Sequence, residues 1–245
     1  MKLLLLDSWV WNPLAAASAL AALLLYACLF GWSRRAAWMG AACAVFLFTL
    51  MSPLAYLAQG TLFSAHMAQH ILLLLIVPAL ALLSLPPSVR LPGGLHPAVS
   101  WACGAGAMWL WHVPVLCDAA AVSRPVSALQ TGSLLLLGAA FWWQVLAPSP
   151  GQRLRPLQGV AYLFAGCVAC SVLGIIFTFA PVTVCKAYAG YPVERFGITP
   201  LRDQQIGGLI MWVPMCLVYL CAIFMQLARW YSPGPHFSTT TTTTT

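Results

Sequence analysis

The sequence predicts an all-α, polytopic membrane protein, a bundle of seven transmembrane helices oriented N-out/C-in. Three observations carry that prediction. First, 62% of the 245 residues are hydrophobic and only 6% are charged, against about 25% charged in an ordinary soluble domain. Second, seven windows supply the roughly 20 apolar residues that a spanning helix needs. Third, those windows are continuously apolar and do not alternate every second residue, which excludes a membrane β-barrel. The same composition excludes a soluble globular enzyme and a disordered chain. The net charge of +7 is no nucleic-acid footprint, because the basic residues are scattered along the chain.

Residues 1–12 read as an outer interfacial segment. The run Leu3–Leu6 is too short for a signal-peptide core, and Trp9 and Trp11 suit an interfacial aromatic belt. The spans follow at roughly 13–32, 37–57, 64–84, 97–116, 127–147, 158–180 and 206–229. Turn-forming or polar residues separate them: Arg34-Arg35, Gln59-Gly60, Pro86 to Gly94, Ser123-Arg124-Pro125, and Pro148 to Gly151. The membrane domain thus occupies residues 13–230. Residues 231–245, ending in Thr239–Thr245, read as a disordered inner tail.

Charge sets the orientation. With the N-terminus outside, Arg34, Arg35, Arg90, Arg153, Arg155 and Arg229 fall inside, while Lys2, Arg124, Lys186, Arg195 and Arg202 fall outside. All four acids, Asp7, Asp118, Glu194 and Asp203, also fall outside.

Polar groups at membrane depth are costly and mark function. His66 and His70 lie four residues apart, on one helix face. That spacing lets two imidazoles converge on one ion, although the Glu of a zinc protease motif is missing. Topology brings the start of the third span, the end of the fourth with His112, and the start of the seventh to the same leaflet. Met67, Met108, Met211 and Met215 accompany the histidines; flexible core packing is the first reading of each, and supplementary ligation the second. Imidazole with thioether suits copper, Cu(I) above all. His96 and His236 fall on the opposite side. Cys117 and Cys185 lie at the outer end, where they either pair or ligate metal together. Within the membrane, Cys167 and Cys170 share a helix face, as packing or as a metal relay. Two roles are open to Asp118 and Asp203: helix-end caps, or partners that orient a ligating histidine. Pro78, Pro114 and Pro214 are expected inside the histidine- and methionine-bearing helices, as kinks. Gly207-Gly208 permits close helix approach.

The run His66-Met67-Ala68-Gln69-His70 with Pro78 resembles the signature of the CtaG-type, multi-span cytochrome c oxidase assembly proteins. So do Trp111-His112-Val113-Pro114 with Asp118-Ala119-Ala120, Phe141-Trp142-Trp143, Phe177 to Pro181, and Asp203-Gln204-Gln205 through Trp212. The resemblance spans roughly residues 50–230 and implies His66, His70, His112, Asp203 and Met211 as functional positions. Two departures stand out: a second His-x-x-x-His at the start of the fifth span is replaced by Ser127 and Thr131, and a tyrosine by Cys117.

The expectation is a non-enzymatic assembly factor for a haem–copper oxidase in the bacterial inner membrane. It binds copper at the outer leaflet through His66, His70 and His112, with Met67, Met108, Met211 and Cys117 as further ligands and Asp118 and Asp203 behind them. Its partners would be the lipid bilayer, an oxidase subunit and a periplasmic copper donor, with no nucleic acid. The alternatives are a haem-binding electron carrier and a metal transporter. Paired histidines on one helix fit bis-histidine haem poorly, and the inner halves of the spans are too apolar for a transport path. No catalytic constellation is present in the sequence.

Overall fold

The computed structural model describes residues 8–59, 61–189 and 196–231. Lys2, Asp7, Glu194, Arg195, His236 and the expected inner tail beyond Tyr231 lie outside the described residues. Among the described residues all regular structure is helical.

The first span is α1, Pro13–Phe30, with Pro13 at its first position and the Asn12 side chain accepting from the Ala15 N–H. The second is interrupted. Helix α2, Ala36–Met51, ends at Ser52, whose hydroxyl caps α3, Pro53–Ala58. Pro53 has no N–H to continue the α2 ladder, so one expected span becomes a 16-residue helix and a short bent continuation.

The third span is α4, Phe63–Ile71, a π-helical segment, Leu72–Ile76, and α5, Val77–Ser84. The π segment comes immediately before Pro78. Proline lacks the donor for the carbonyl one turn back and crowds it, and a π turn accommodates that mismatch within a continuous rod. The expected kink at Pro78 is therefore a π segment. This rod is the most enclosed of the spanning helices.

The fourth span breaks at the histidine. Helix α6, Pro97–Trp111, stops before His112, and α7, Pro114–Val122, leaves at 72° to it. Pro114 starts α7 instead of kinking the interior of α6. Helices α8, Arg124–Leu146, and α9, Pro156–Phe179, follow the expected windows within three residues. Helix α10, Pro200–Tyr231, starts six residues earlier than expected and carries Pro214 inside it.

Among the described residues, five helices (α1, the α4–α5 rod, α8, α9 and α10) are long and apolar enough to cross a bilayer, and the bent α6–α7 pair makes a sixth candidate. At the second of the seven expected spans stands α2, apolar but only 16 residues long.

Close approach fixes the helix pairs around the core. A Cβ built on Gly208 of α10 would lie 2.6 Å from the Thr178 nitrogen and 2.7 Å from the Gly174 carbonyl oxygen of α9. Gly207 faces the other way, with Phe63 and Met67 of α4 filling the space a side chain would take. Gly138 of α8 meets the Leu74 carbonyl of the π segment. At the far end of the bundle, Arg153 donates to the Ala147 carbonyl at 2.6 Å, and burial, then neighbouring Arg229 and Arg35, lower its pKa.

Gly208→Ala should destabilise the bundle by about 1–3 kcal/mol, the ordinary cost of overpacking, because the obstructing atoms are backbone. Gly106→Ala, with nothing within 4 Å, should leave stability unchanged or slightly raised. Thermal unfolding of both variants in detergent distinguishes the two.

Candidate metal centre

The first turn of a helix leaves N–H groups without partners, and those of α4 would lie inside the bundle. Asp203 supplies the acceptors. Its carboxylate accepts from the Phe63 N–H at 2.6 Å, the Ser64 N–H at 3.2 Å and the Ser64 hydroxyl. Asp203 is itself 1% exposed. It therefore caps α4 from across the bundle and contacts no histidine. Of the roles open to it, the structure realises a cap on a helix 140 residues away in sequence, and Asp203 also stands in the first turn of its own helix.

That cap fixes the register of one α4 face, on which Phe63, His66, Met67 and His70 follow at helical spacing. All four are buried. The Nε2 atoms of His66 and His70 lie 3.1 Å apart. Two nitrogens each about 2.0–2.1 Å from one ion would be separated by this distance at an angle of roughly 100°.

The break between α6 and α7 aims His112. Its Nδ1 lies 2.5 Å from the Met108 carbonyl oxygen, one turn back. A carbonyl only accepts, so Nδ1 carries the proton and the neutral ring presents a bare lone pair at Nε2. That lone pair points at the Met67 thioether sulfur, 3.0 Å away. Thioether sulfur is also an acceptor. The contact thus sets two acceptors together in a buried site. Imidazole nitrogen and thioether sulfur are the donor set that suits Cu(I), so these residues fit that ion.

The two pairs are neighbours: the His70 and His112 rings are 5.1 Å apart at their centroids. They do not close into one ready-made cage. Among the described residues, no group of three or more His, Cys, Asp or Glu side chains is arranged to hold an ion. The donors thus fall in two neighbouring pairs, His66 with His70 and His112 with the Met67 sulfur.

The remaining expected residues fall as follows. Met108 is fully buried, and its contribution to His112 is the main-chain carbonyl. Met211 is fully buried one turn beyond Gly207 on the α10 face that meets α4, and Met215 lies a turn further. Cys117 is withdrawn from ligation, because it forms a disulfide with Cys185. Of the two roles open to that pair, covalent pairing is the one realised. Asp118 accepts from the Ala187 N–H at 2.8 Å; like Asp203, it holds backbone and orients no histidine.

Several residues around the site were not singled out as site residues from the sequence. Gln130 of α8 lies beside His70, yet both Gln130 Nε2 and His70 Nδ1 are buried without a hydrogen-bond partner. Phe63 and Phe177 stack at 5.4 Å, and Phe177 meets His112 edge-on at 5.3 Å. Tyr188 lies 5.7 Å from His66, and its hydroxyl donates to the Ala58 carbonyl. Tyr188 belongs to a cap, residues 181–189, held over the histidines by the disulfide, Asp118 and Gln204. Gln204 accepts from the Val184 N–H and donates to the Val182 carbonyl.

A sequence profile of the cytochrome c oxidase caa3 assembly factors, Caa3_CtaG, matches residues 16–232. The chain belongs to this family. This caa3 assembly factor homologue is also similar to an uncharacterized protein of Mycobacterium leprae (strain TN), 24% identical over 226 residues, covering 80% of the chain and 34% of that protein. Uncharacterized proteins of Mycobacterium bovis and Mycobacterium tuberculosis are 24% identical over 264 residues, covering 92% of the chain and 40% of each. The chain thus spans between a third and two fifths of the length of these relatives. No solved structure matches.

Because Asp203 satisfies three donors at a buried helix start, Asp203→Ala in this family member should cost roughly 2–4 kcal/mol, more than an exposed cap. The melting temperature in detergent reads the loss. Asp118→Ala, at a half-buried position outside the bundle core, should cost about 1 kcal/mol.

Proposed function

We propose that this chain is a non-enzymatic assembly factor that binds Cu(I) at His66, His70, His112 and Met67 and delivers it to a haem–copper oxidase subunit. The single observation that carries the reading is the contact between the His112 lone pair and the Met67 sulfur. Two acceptors pressed together where water is excluded gain from a soft cation and from little else. The His66–His70 pair beside them supplies two further imidazole nitrogens. Membership in an oxidase assembly family supplies the recipient.

The reading places the chain in the bacterial inner membrane with seven crossings, N-out/C-in, α2 with α3 serving as the second. The small excess of basic residues inside, with the four acids outside, supports that orientation. The cluster then opens toward the periplasm, where a soluble copper donor would load it. Copper is cargo here, so a site assembled from two pairs suits the task better than a closed cage. Met211 stands near enough along α10 to take part in release.

The purified chain should bind Cu(I) near one per chain in competition with a chromophoric chelator. His70→Ala should weaken binding by more than about 10–100-fold, the range that loss of an outer partner alone produces. Unchanged stoichiometry and affinity in that variant would sink the site. In cells, deletion should lower oxidase activity, and added copper should restore it; a loss that copper does not relieve would favour scaffolding over supply.

A further inference from the structure

A second group of reactive side chains lies deeper in the bundle, outside the histidine cluster. Cys167 sits midway along α9, with Cys170 and Ser171 on neighbouring positions, and Cys216 sits midway along α10. The Cys167 and Cys216 sulfurs are 3.2 Å apart. The Ser171 hydroxyl lies 3.2 Å from Cys216 Sγ and donates to the Cys167 carbonyl at 2.8 Å. The donors thus run in order: Cys167 S–H to Cys216 sulfur, Cys216 S–H to Ser171 oxygen, and Ser171 O–H to backbone.

The pairing is selective. Cys170, three residues from Cys167, turns instead toward the Tyr219 hydroxyl at 3.9 Å. The two helices cannot drift apart at this level without breaking the Gly174–Gly208 contact two turns away. The sulfurs are already in contact, and a covalent bond of about 2.05 Å requires only a further ångström of approach. Both thiols are half-buried.

We propose that Cys167 and Cys216 are an oxidisable dithiol that reduces cupric ion. Each thiol gives up one electron to one Cu(II) and one proton to solvent, and the sulfurs join. Two Cys–SH and two Cu(II) become one interhelical disulfide, two Cu(I) and two protons. Cys216 follows Met215 and lies five residues from Met211, roughly 7.5 Å along the helix axis. Electrons released there reach the histidine end of α10, and the copper leaves that end in the oxidation state its imidazole and thioether donors favour. The choice of copper as oxidant rests on the proposed function above; the thiol couple itself rests on the contact alone.

The full chain in detergent, with the Cys117–Cys185 disulfide intact and Cys167 and Cys216 free, is treated with Cu(II) and a Cu(I)-capturing chromophore. The expected result is two Cu(I) per chain, a mass loss of two hydrogens, and a Cys167–Cys216 cross-linked peptide. Cys216→Ser and Cys167→Ser should each abolish that cross-link and lower the Cu(I) yield, whereas Cys221→Ser, whose thiol is exposed, should not. Ferrocenium, a copper-free one-electron oxidant, should give the same cross-link. Cross-linking by ferrocenium but not Cu(II) overturns copper as the acceptor. No cross-link with either oxidant overturns the couple. Cu(I) binding that persists in the wild type and fails in His70→Ala keeps the histidine reading standing in that event, so the two failures are distinguishable.

Discussion

A polar group inside a membrane bundle has no water to fall back on, so each imidazole buried here has to be answered by another protein atom. That constraint organises the structure. His112 turns the end of α6 and binds its own helix through the Met108 carbonyl. His66 and His70 answer one another. Asp203 reaches across the bundle to cap the helix that carries them. What is left over is informative: an imidazole lone pair against a thioether, and an unpaired His70 nitrogen beside an unpaired glutamine amide.

The cap over the histidines follows from the same constraint. Aromatic rings of Phe63, Phe177 and Tyr188 surround the imidazoles on the side facing residues 181–189. The cap is tied by one covalent bond and by hydrogen bonds to Asp118 and Gln204. The acids Asp118 and Asp203 both hold main-chain N–H groups. Neither is hydrogen-bonded to a histidine among the described residues.

Much of the fold was legible in the sequence because it depends on composition and length. Continuous apolar runs give helices, and prolines with Arg34-Arg35 mark most of their ends. The gathering of His66, His70 and His112 was legible too, because alternating span direction decides which helix ends share a leaflet. Interruptions were less visible. Pro53 splits the second span and Pro114 starts a new helix, whereas the similar Pro78 only induces a π segment and Pro214 remains inside a helix; backbone packing around each proline decides. The target of Asp203 was illegible, since a cap on a helix 140 residues away leaves no local spacing. The choice between Cys117–Cys185 pairing and ligation was likewise settled only by how the cap folds back.

The central claim is that imidazole nitrogen and the Met67 thioether together hold copper. X-ray absorption at the copper edge of the Cu(I)-loaded chain reads that donor set directly. The account predicts a mixed shell of imidazole nitrogen with one thioether sulfur, and loss of the sulfur contribution alone in Met67→Leu. A shell of oxygen or nitrogen only, or one of thiolate sulfur unaffected by that substitution, would contradict it.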